Sequence, residues 1–262
     1  MKRAFTLAWQ YLRLAFMNEM QYRINFFIQL FESALALGTA LIVLALVYAQ
    51  TDILNGWSRY ELQALQGIYV ILMGVVQISV QPNVERLLTD IQQGTFDFVL
   101  VKPIDSQLLS SIREVRIWQS VDIWAGSAVL GHALWQLGNQ LGVVQVGLFV
   151  VAVLSGVLII YALVFLLSTL AFWVIRIESI FEVFIGIMAA GRLPTDIYPR
   201  WLQIILVYLV PMAFAVTVPA QIITNRGDGT TLLIQLGVAA LFMLITRLVW
   251  RKAVTRYSGA SA

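Results

Sequence analysis

The chain has 262 residues, of which 60% are hydrophobic and 12% are charged, with 17 Lys and Arg against 14 Asp and Glu. A soluble globular domain carries about 25% charged residues, so this composition argues against a soluble enzyme, a disordered chain, a coiled coil and a collagen. Cysteine is absent and one histidine is present, which excludes disulfides, thiolate sites and multi-histidine metal sites. The basic residues are scattered singly at the ends of apolar segments, so they indicate membrane topology and not a nucleic-acid partner. We therefore expect an all-α polytopic membrane protein.

The first 23 residues are predicted to form an amphipathic helix that lies at the membrane surface. Five apolar residues share one face at helical spacing: Phe5, Trp9, Leu12, Phe16 and Met20. Their aromatic content favours the headgroup zone. The alternative is a solvated helical arm that does not touch the bilayer.

Seven apolar segments approach the roughly 20 residues that a spanning helix needs. They are Ile24–Tyr48, Gln63–Val80, Ile117–Gln136, Val143–Ile175, Ser179–Ala190, Trp201–Val218 and Leu232–Trp250. The positive-inside rule favours six crossings with both termini in the cytoplasm. This arrangement leaves four of the 17 cations on the outer side: Arg59, Arg192, Arg200 and Arg226.

The cytoplasmic segment 82–106 joins the second and third predicted spans. The second span is expected to end at Gln81-Pro82, because proline cannot continue the hydrogen-bond ladder. Apolar residues then repeat at helical spacing and predict a short amphipathic helix that ends at Gly94. The turn Phe96–Leu100 follows and is expected to expose its aromatic side chains beside charges, which suits docking of a soluble partner. The alternative is that these side chains lie back in the headgroup region.

The segment 193–220 is predicted to be a re-entrant helical hairpin in the outer leaflet, placed before the last span. It contains four prolines: Pro194, Pro199, Pro211 and Pro219. Backbone without regular hydrogen bonds at membrane depth must be covered by protein or must face a water-filled cavity. The alternative is an ordinary span that the prolines kink.

No pattern for catalysis or nucleotide binding is visible in the chain. It has no Gly-x4-Gly-Lys-Ser/Thr loop, no Gly-x-Gly-x-x-Gly, no His-Glu-x-x-His and no Gly-x-Ser-x-Gly, so another chain is expected to supply energy. Four ionisable residues lie in predicted spans: Glu32, Asp122, His132 and Glu182. They could belong to an ion-coupled carrier, but snorkelling or local pairing is the more frequent explanation. We predict no catalytic, cofactor or metal residues.

The run Ile91–Ile104 and the segment Leu193–Pro199, followed by Pro211 and Pro219-Ala220, resemble the ABC-2-type transport permeases. Gly94 to Pro103 matches a subgroup whose first cytoplasmic loop reads Gly-Thr/Ser-x-Asp-x-x-Leu-x-Lys/Arg-Pro. The resemblance implies a single permease domain over residues 1–262, working as half of an exporter. It also implies that the helix after the second span is a coupling helix seated in a cleft of an ATPase subunit. The coupling residues implied are Glu85, Arg86, Leu88, Asp90, Gly94, Thr95, Phe96, Asp97, Phe98, Lys102 and Pro103.

The same resemblance implies the partners. Two separate ATP-binding-cassette subunits would carry ATP and magnesium, so no cofactor is expected on this chain. A second permease subunit, either identical or related, would complete the pathway in the cell (plasma or inner) membrane, among its lipids. The substrate stays open, since an aromatic pathway accepts hydrophobic, cationic or lipid-linked compounds. An ion-coupled secondary transporter, an assembly subunit and a membrane-embedded enzyme are the alternatives.

Overall fold

The computed structural model describes residues 23–138, 142–173, 186 and 188–257. Nearly all of these residues are helical, and the one β feature among them is an isolated bridge between Leu54 and Trp57. The helices in chain order are α1 (Arg23–Tyr48), α2 (Arg59–Gln92), α3 (Asp97–Leu100), α4 (Ser106–Ser110), α5 (Ser120–Leu137), α6 (Val143–Thr169), α7 (Arg200–Leu209), α8 (Ala213–Ile223) and α9 (Gly229–Val254). The predicted all-α class is confirmed for the part of the chain that the structure describes.

Four described helices are long and apolar enough to cross a bilayer. These are Phe26–Tyr48, Arg59–Gln92, Val143–Phe172 and Gly229–Val254. Helices α7 and α8 qualify only as a pair, with a bend of 82° at the break between them. The third predicted span is a helix, α5, but it is not among these four. The predicted N-terminal helix and most of Ser179–Ala190 lie outside the described residues.

The prediction that the second span ends at Gln81-Pro82 is wrong, because α2 continues through the proline as far as Gln92. A π-helical turn at Val76–Val80 precedes the proline, and the Gln81 amide bonds back to the Val76 carbonyl. The extra residue in this turn brings Pro82 to the start of a new α-helical segment, where its missing N–H is not needed. The first part of the predicted cytoplasmic segment is thus an extension of the span itself.

Local signals account for the ends of α2. A capping box starts the helix, since the Ser58 amide donates to Glu61 Oε2 at 2.8 Å and the Glu61 amide donates to Ser58 Oγ at 3.4 Å. Gly94 follows the last turn with a φ of +70°, a left-handed conformation that favours glycine. The predicted stop at Gly94 is confirmed.

The bundle has two ends, and contacts assign each helix terminus to one of them. The loop end carries residues 93–116, which we call the α2–α5 loop. Phe172 at the end of α6 and Trp250 in the last turns of α9 meet this loop through Phe96. The opposite end, the hairpin end, carries the connection between α1 and α2, the start of α7 and the end of α8. Helices α1, α2, α5, α6 and α9 each run from one end to the other.

Glycines allow the closest helix crossings. A Cβ atom at Gly67 in α2 would lie 2.8 Å from the Gly126 carbonyl oxygen, and one at Gly126 in α5 would lie 2.7 Å from the Gly67 oxygen. Helix α6 approaches α8 in the same way, since a Cβ atom at Gly156 would lie 2.6 Å from the Ala215 oxygen. Inside a membrane the hydrophobic effect does not drive helices together, and small residues allow the close backbone packing that holds them. The pairs α2 with α5 and α6 with α9 form the most extensive helix contacts.

Helix α1 is peripheral to this bundle. Most of its large apolar side chains are exposed, including Phe27, Phe31 and Leu46. Its inward contacts are made mainly with α2 and α5, and Ser33 and Leu37 are among its few buried residues. The helix therefore presents a wide apolar face to lipid or to another protein.

Candidate functional site

The first candidate site is the α2–α5 loop, which is held by a buried amide on α2. Asn83 is 2% exposed, and its Nδ2 donates to the carbonyl oxygens of Ser79 (2.6 Å) and Glu114 (2.7 Å). Its Oδ1 accepts from the amides of Arg113 (2.8 Å) and Glu114 (3.0 Å). The side chain thus uses both donors and both acceptor positions of an amide. It ties α2 to the chain that leads into α5.

A buried carboxylate on the same face of α2 makes a second tie. Asp90 is 2% exposed and receives Arg113 Nη1 at 2.5 Å, Arg86 Nε at 3.2 Å and Thr95 Oγ1 at 3.1 Å. Its carbonyl oxygen also accepts from the Phe96 amide at 3.1 Å. A buried charge is tolerated only when it is paired and hydrogen-bonded, and Asp90 meets that condition. Its side chain therefore faces the interior of the loop.

Two exposed ion pairs complete the polar frame. Arg116 binds Glu85, and Arg247 of α9 binds Asp105 and also donates to Gln107 Oε1 at 2.9 Å. Asp105 also caps α4, since it accepts from the Leu108 amide at 3.1 Å. The hydrogen bond from Arg247 holds the pKa of the Asp105 carboxyl below its ordinary value. This carboxyl is therefore ionised at neutral pH and links the loop to α9.

The two aromatic residues of the predicted turn have opposite fates. Phe98 is 70% exposed, whereas Phe96 is fully buried, so the expectation that both rings are exposed is wrong for Phe96. The Phe96 ring lies 5.3 Å from Phe172, 6.0 Å from Trp250 and 5.4 Å from Tyr257, in edge-to-face geometry. Residues two positions apart on a short helical turn point in different directions, so one ring enters the core and the other leaves it.

The exposed tip of the loop combines apolar and charged side chains. Phe98 and Val101 are its large exposed apolar residues, and Asp97, Lys102 and Pro103 are exposed beside them. Among the other predicted coupling residues, Arg86 is exposed, Glu85, Gly94 and Thr95 are half-buried, and Leu88 is buried with Asp90 and Phe96. The predicted set therefore divides into a surface that a partner can touch and an interior that supports it.

The second candidate site is a groove between α1 and α2 that is lined by α5 and by the segment before α7. Two adjoining cavities of about 220 and 720 Å³ form it and share Gln66 and Arg192 on their walls. The smaller cavity reaches Asp122, and the larger one reaches Glu32. Apolar side chains cover most of the remaining wall, so the groove is a mainly apolar passage with a few charged positions.

The predicted intramembrane carboxylates differ in their surroundings. Ser33 Oγ of α1 donates to Asp122 Oδ1 of α5, so this carboxylate joins the two helices by a buried hydrogen bond. Glu32 is exposed at the open side of the groove. His132 is exposed, and its Nδ1 lies 2.9 Å from Gln63 Nε2. Glu182 lies outside the described residues. Among the described residues, Glu32 and Asp122 therefore line adjoining cavities, whereas neither cavity is lined by His132.

The bent pair α7–α8 starts and ends beside the same loop at the hairpin end. Before α7, Asp196 accepts from Asn55 Nδ2 (3.0 Å, backbone oxygen) and from Trp57 Nε1 (3.3 Å, carboxylate). After α8, Arg226 binds Glu61 at 3.2 Å and lies 4.4 Å over the Trp57 ring. Both termini of the pair therefore lie at one end of α2.

The four predicted prolines lie in this region as expected from their positions in the chain. Pro211 is buried at the break between α7 and α8, Pro219 is buried within α8, and Pro194 is also buried. Pro199 is exposed and directly precedes α7. The break at Pro211 lies between two π-helical turns, Ile205–Leu209 and Ala213–Thr217.

Sequence reasoning did not single out Asn83, Arg113 or Trp250, although each holds the α2–α5 loop. Asn83 sits among apolar residues of the extended helix and shows no motif, so its partners are evident only once residues 113–114 are in place. Arg113 is one of the basic residues scattered along the chain, and such a residue indicates membrane sidedness without indicating its partner. The sequence feature that could have indicated the role of Asn83 is its polar side chain directly after Pro82, in a segment otherwise expected to be helical.

Comparison with known proteins adds one match. The model of a family described as ABC-2 family transporter protein matches residues 34–261. This range contains the α2–α5 loop, the α7–α8 pair and the groove residues other than Glu32 and Ser33. The comparison with curated proteins found no match.

Proposed function

The chain belongs to the ABC-2 transporter family, and we propose that it is the membrane-spanning permease subunit of an ATP-binding-cassette exporter. Separate ATPase subunits carry ATP and magnesium, and a second permease subunit completes the translocation pathway. The observation that carries this proposal is the braced α2–α5 loop, which exposes Phe98 and Val101 on a frame of buried hydrogen bonds. A rigid loop with an apolar tip can receive force from a soluble partner and pass it to the helices it joins.

The proposed topology has six crossings and a re-entrant hairpin. Helices α1, α2, α5, α6 and α9 account for five passages between the two ends of the bundle. Phe172 lies at the loop end and Arg192 at the hairpin side, where its carbonyl oxygen accepts from Gln66 at 2.6 Å, and the sixth crossing is proposed for the sequence between them, which lies mostly outside the described residues. Since α7–α8 begins and ends beside Trp57, we assign it to a hairpin that enters and leaves the outer leaflet.

The loop end is proposed to be cytoplasmic, with both chain termini on that side. Basic residues concentrate there: Arg86, Lys102, Arg113, Arg116, Arg247, Arg251 and Lys252. Juxtamembrane Lys and Arg are retained on the cytoplasmic side of membranes. The ATPase subunits would therefore contact the exposed tip of the loop on the cytoplasmic side of the cell membrane.

The second permease subunit is proposed to close the groove. Helix α1 is mostly exposed, and the groove beside it is open on one side. A charged residue such as Glu32 is costly at membrane depth unless it faces protein or a water-filled cavity. A second copy of the chain, or a related permease, would convert the open groove into an enclosed pathway.

The docking proposal is tested by a charge placed at the tip of the loop. Phe98→Glu puts a carboxylate on an apolar contact and is expected to reduce co-purification of the ATPase subunit by at least tenfold. Ile53→Glu is the matched control, because Ile53 is exposed at the hairpin end. Retention of the ATPase by the Phe98→Glu variant at the level of the control would overturn the proposal.

An ion-coupled secondary transporter is the second candidate, favoured by the position of Asp122 on the wall of the groove. The two candidates differ in their energy source. Transport that stops with Asp122→Asn and continues when ATP is depleted at a clamped ion gradient would favour the carrier. Transport that follows ATP, with the gradient collapsed, supports the exporter.

A further inference from the structure

The α2–α5 loop can transmit force only if its orientation to the spans is fixed, and two residues of α2 fix it. Asn83 and Asp90 are seven residues apart, about two helical turns, and so lie on one face of the helix. Both bind the segment that leads into α5, Asn83 through backbone groups of residues 113 and 114 and Asp90 through the Arg113 side chain. We call this set of contacts the Asn83–Asp90 clamp.

The clamp joins elements that are already closely packed. Beyond it, α2 and α5 stay in contact along their length and meet at Gly67 and Gly126. Asp90 also holds the turn before α3 through Thr95. Loop, α2 and α5 are therefore connected by buried, directional hydrogen bonds at the loop end and by backbone contact further along.

The contacts of the same loop with α9 are of a different kind. The Arg247–Asp105 ion pair is partly exposed, and exposed pairs are weak. Trp250 Nε1 donates to Ser106 Oγ at 3.2 Å, and the buried Trp250 ring packs edge to face against Phe96. These contacts join side chains, whereas Asn83 binds backbone groups of residues 113 and 114, so the loop is held to α2 by its backbone and to α9 by side chains that can rotate.

We propose that Asn83 is a positioning residue for energy coupling, which holds the α2–α5 loop, α2 and α5 as one body. Force applied at the tip then displaces α2 and α5 together, relative to α9. This inference rests on the proposed function, because it concerns the route by which the ATPase acts on the pathway. Asn83 does not touch the partner, since its side chain is buried and its polar atoms bind this chain alone.

The absence of cysteine permits spin labels at chosen pairs of introduced cysteines, measured by pulsed electron paramagnetic resonance. Pair A, Lys102→Cys with Gln136→Cys, reports distances within the proposed body. Pair B, Gln136→Cys with Thr230→Cys, reports the distance between the outer ends of α5 and α9. Both pairs are measured in the complex with its co-purifying ATPase subunit, with and without trapping by ATP and vanadate, in the unsubstituted background and in each variant background.

In the unsubstituted background, the distance distribution of pair A should stay narrow and unchanged on trapping, and the mean distance of pair B should change. Asn83→Leu is expected to broaden pair A and to abolish the shift of pair B, while the ATPase stays bound and active. Arg113→Met breaks the clamp from its more exposed side and should act in the same way if Asn83→Leu does not fold. Arg113→Lys keeps a cation for Asp90 and should restore the shift.

Thr89→Ala is the matched control, because Thr89 lies on the same helix and its hydroxyl donates to the Glu85 carbonyl within that helix. It should leave both pairs unchanged. A normal pair B shift in Asn83→Leu and in Arg113→Met would overturn the role of the clamp and leave the proposed function standing. A lack of ATPase association, or of any pair B shift in the unsubstituted background, would contradict the proposed function, and the role of the clamp would fall with it.

Discussion

At the scale of single residues, Phe96 and Phe98 show that two side chains only two positions apart can lie one in the core and one at the surface. Phe96 contacts three aromatic rings from α6 and the C-terminal part of the chain, while Phe98 faces outward. The sequence alone cannot separate them, because both flank Asp97 and the residues that bury Phe96 lie far along the chain. The composition of the turn was informative, whereas the direction of each side chain was not.

The first prediction compares these two rings. Phe96→Ala removes a fully buried side chain and should lower the free energy of unfolding in detergent by ~3–5 kcal/mol. Phe98→Ala, at an exposed position, should change it by less than about 0.5 kcal/mol. Chemical unfolding of the two purified variants measures both values. Equal destabilisation by the two substitutions would contradict the burial of Phe96.

Asp105 supplies a prediction on pH. Because Arg247 lowers the pKa of this carboxyl in the folded chain, its ionised form contributes stability above the ordinary value of 3.8. That contribution is lost as the pH falls through the lowered pKa of the folded chain. Asp105→Asn should therefore be less stable than the unsubstituted chain at pH 7, and the difference should shrink at pH 3. Thermal unfolding at both pH values checks this, and a difference that grows on acidification would contradict the ion pair.

At the scale of elements, α2 differs most from expectation. A proline at position 82 predicts the end of a helix when only its own hydrogen bond is considered. The π-helical turn at Val76–Val80 shifts the backbone hydrogen-bond pattern by one residue just before the proline. No residue type in that turn predicts the shift. A continuous α2 carries the α2–α5 loop on a helical extension, and the proposed coupling requires such a connection.

The α2–α5 crossing gives a prediction with an internal control on one helix. Gly126→Leu would place a side chain 2.7 Å from the Gly67 carbonyl oxygen, whereas a Cβ at Gly131 meets nothing within 4 Å. We expect Gly126→Leu to cost ~1–3 kcal/mol or more by overpacking, seen as a lower melting temperature in detergent. Gly131→Leu should melt within a few degrees of the unsubstituted chain. Similar losses in both variants would show that the crossing is not the cause.

At the scale of the whole molecule, the sidedness of the two ends is the property on which the docking proposal depends. Lys102→Cys at the loop end and Asp52→Cys at the hairpin end are both at exposed positions. A membrane-impermeant thiol reagent applied to intact cells should label Asp52→Cys and should reach Lys102→Cys only after permeabilisation. The reverse pattern would place the α2–α5 loop outside the cell and would rule out its contact with a cytoplasmic ATPase.

The sequence by itself determined the class of protein, the all-α composition, most of the long helices and the stop at Gly94, because hydropathy, proline and glycine act through the chain's own backbone and solvent. The family resemblance at Gly94–Pro103 was likewise readable from the residues. Only the tertiary structure decided that α2 passes through Pro82, that Phe96 is buried and that Asn83 and Asp90 bind residues 113 and 114. The burial of Phe96 and the bonds of Asn83 and Asp90 depend on partners distant in sequence, whose ring contacts and hydrogen bonds exist only once the helices have packed. The path of α2 through Pro82 depends on a π-helical turn that no residue pattern predicts.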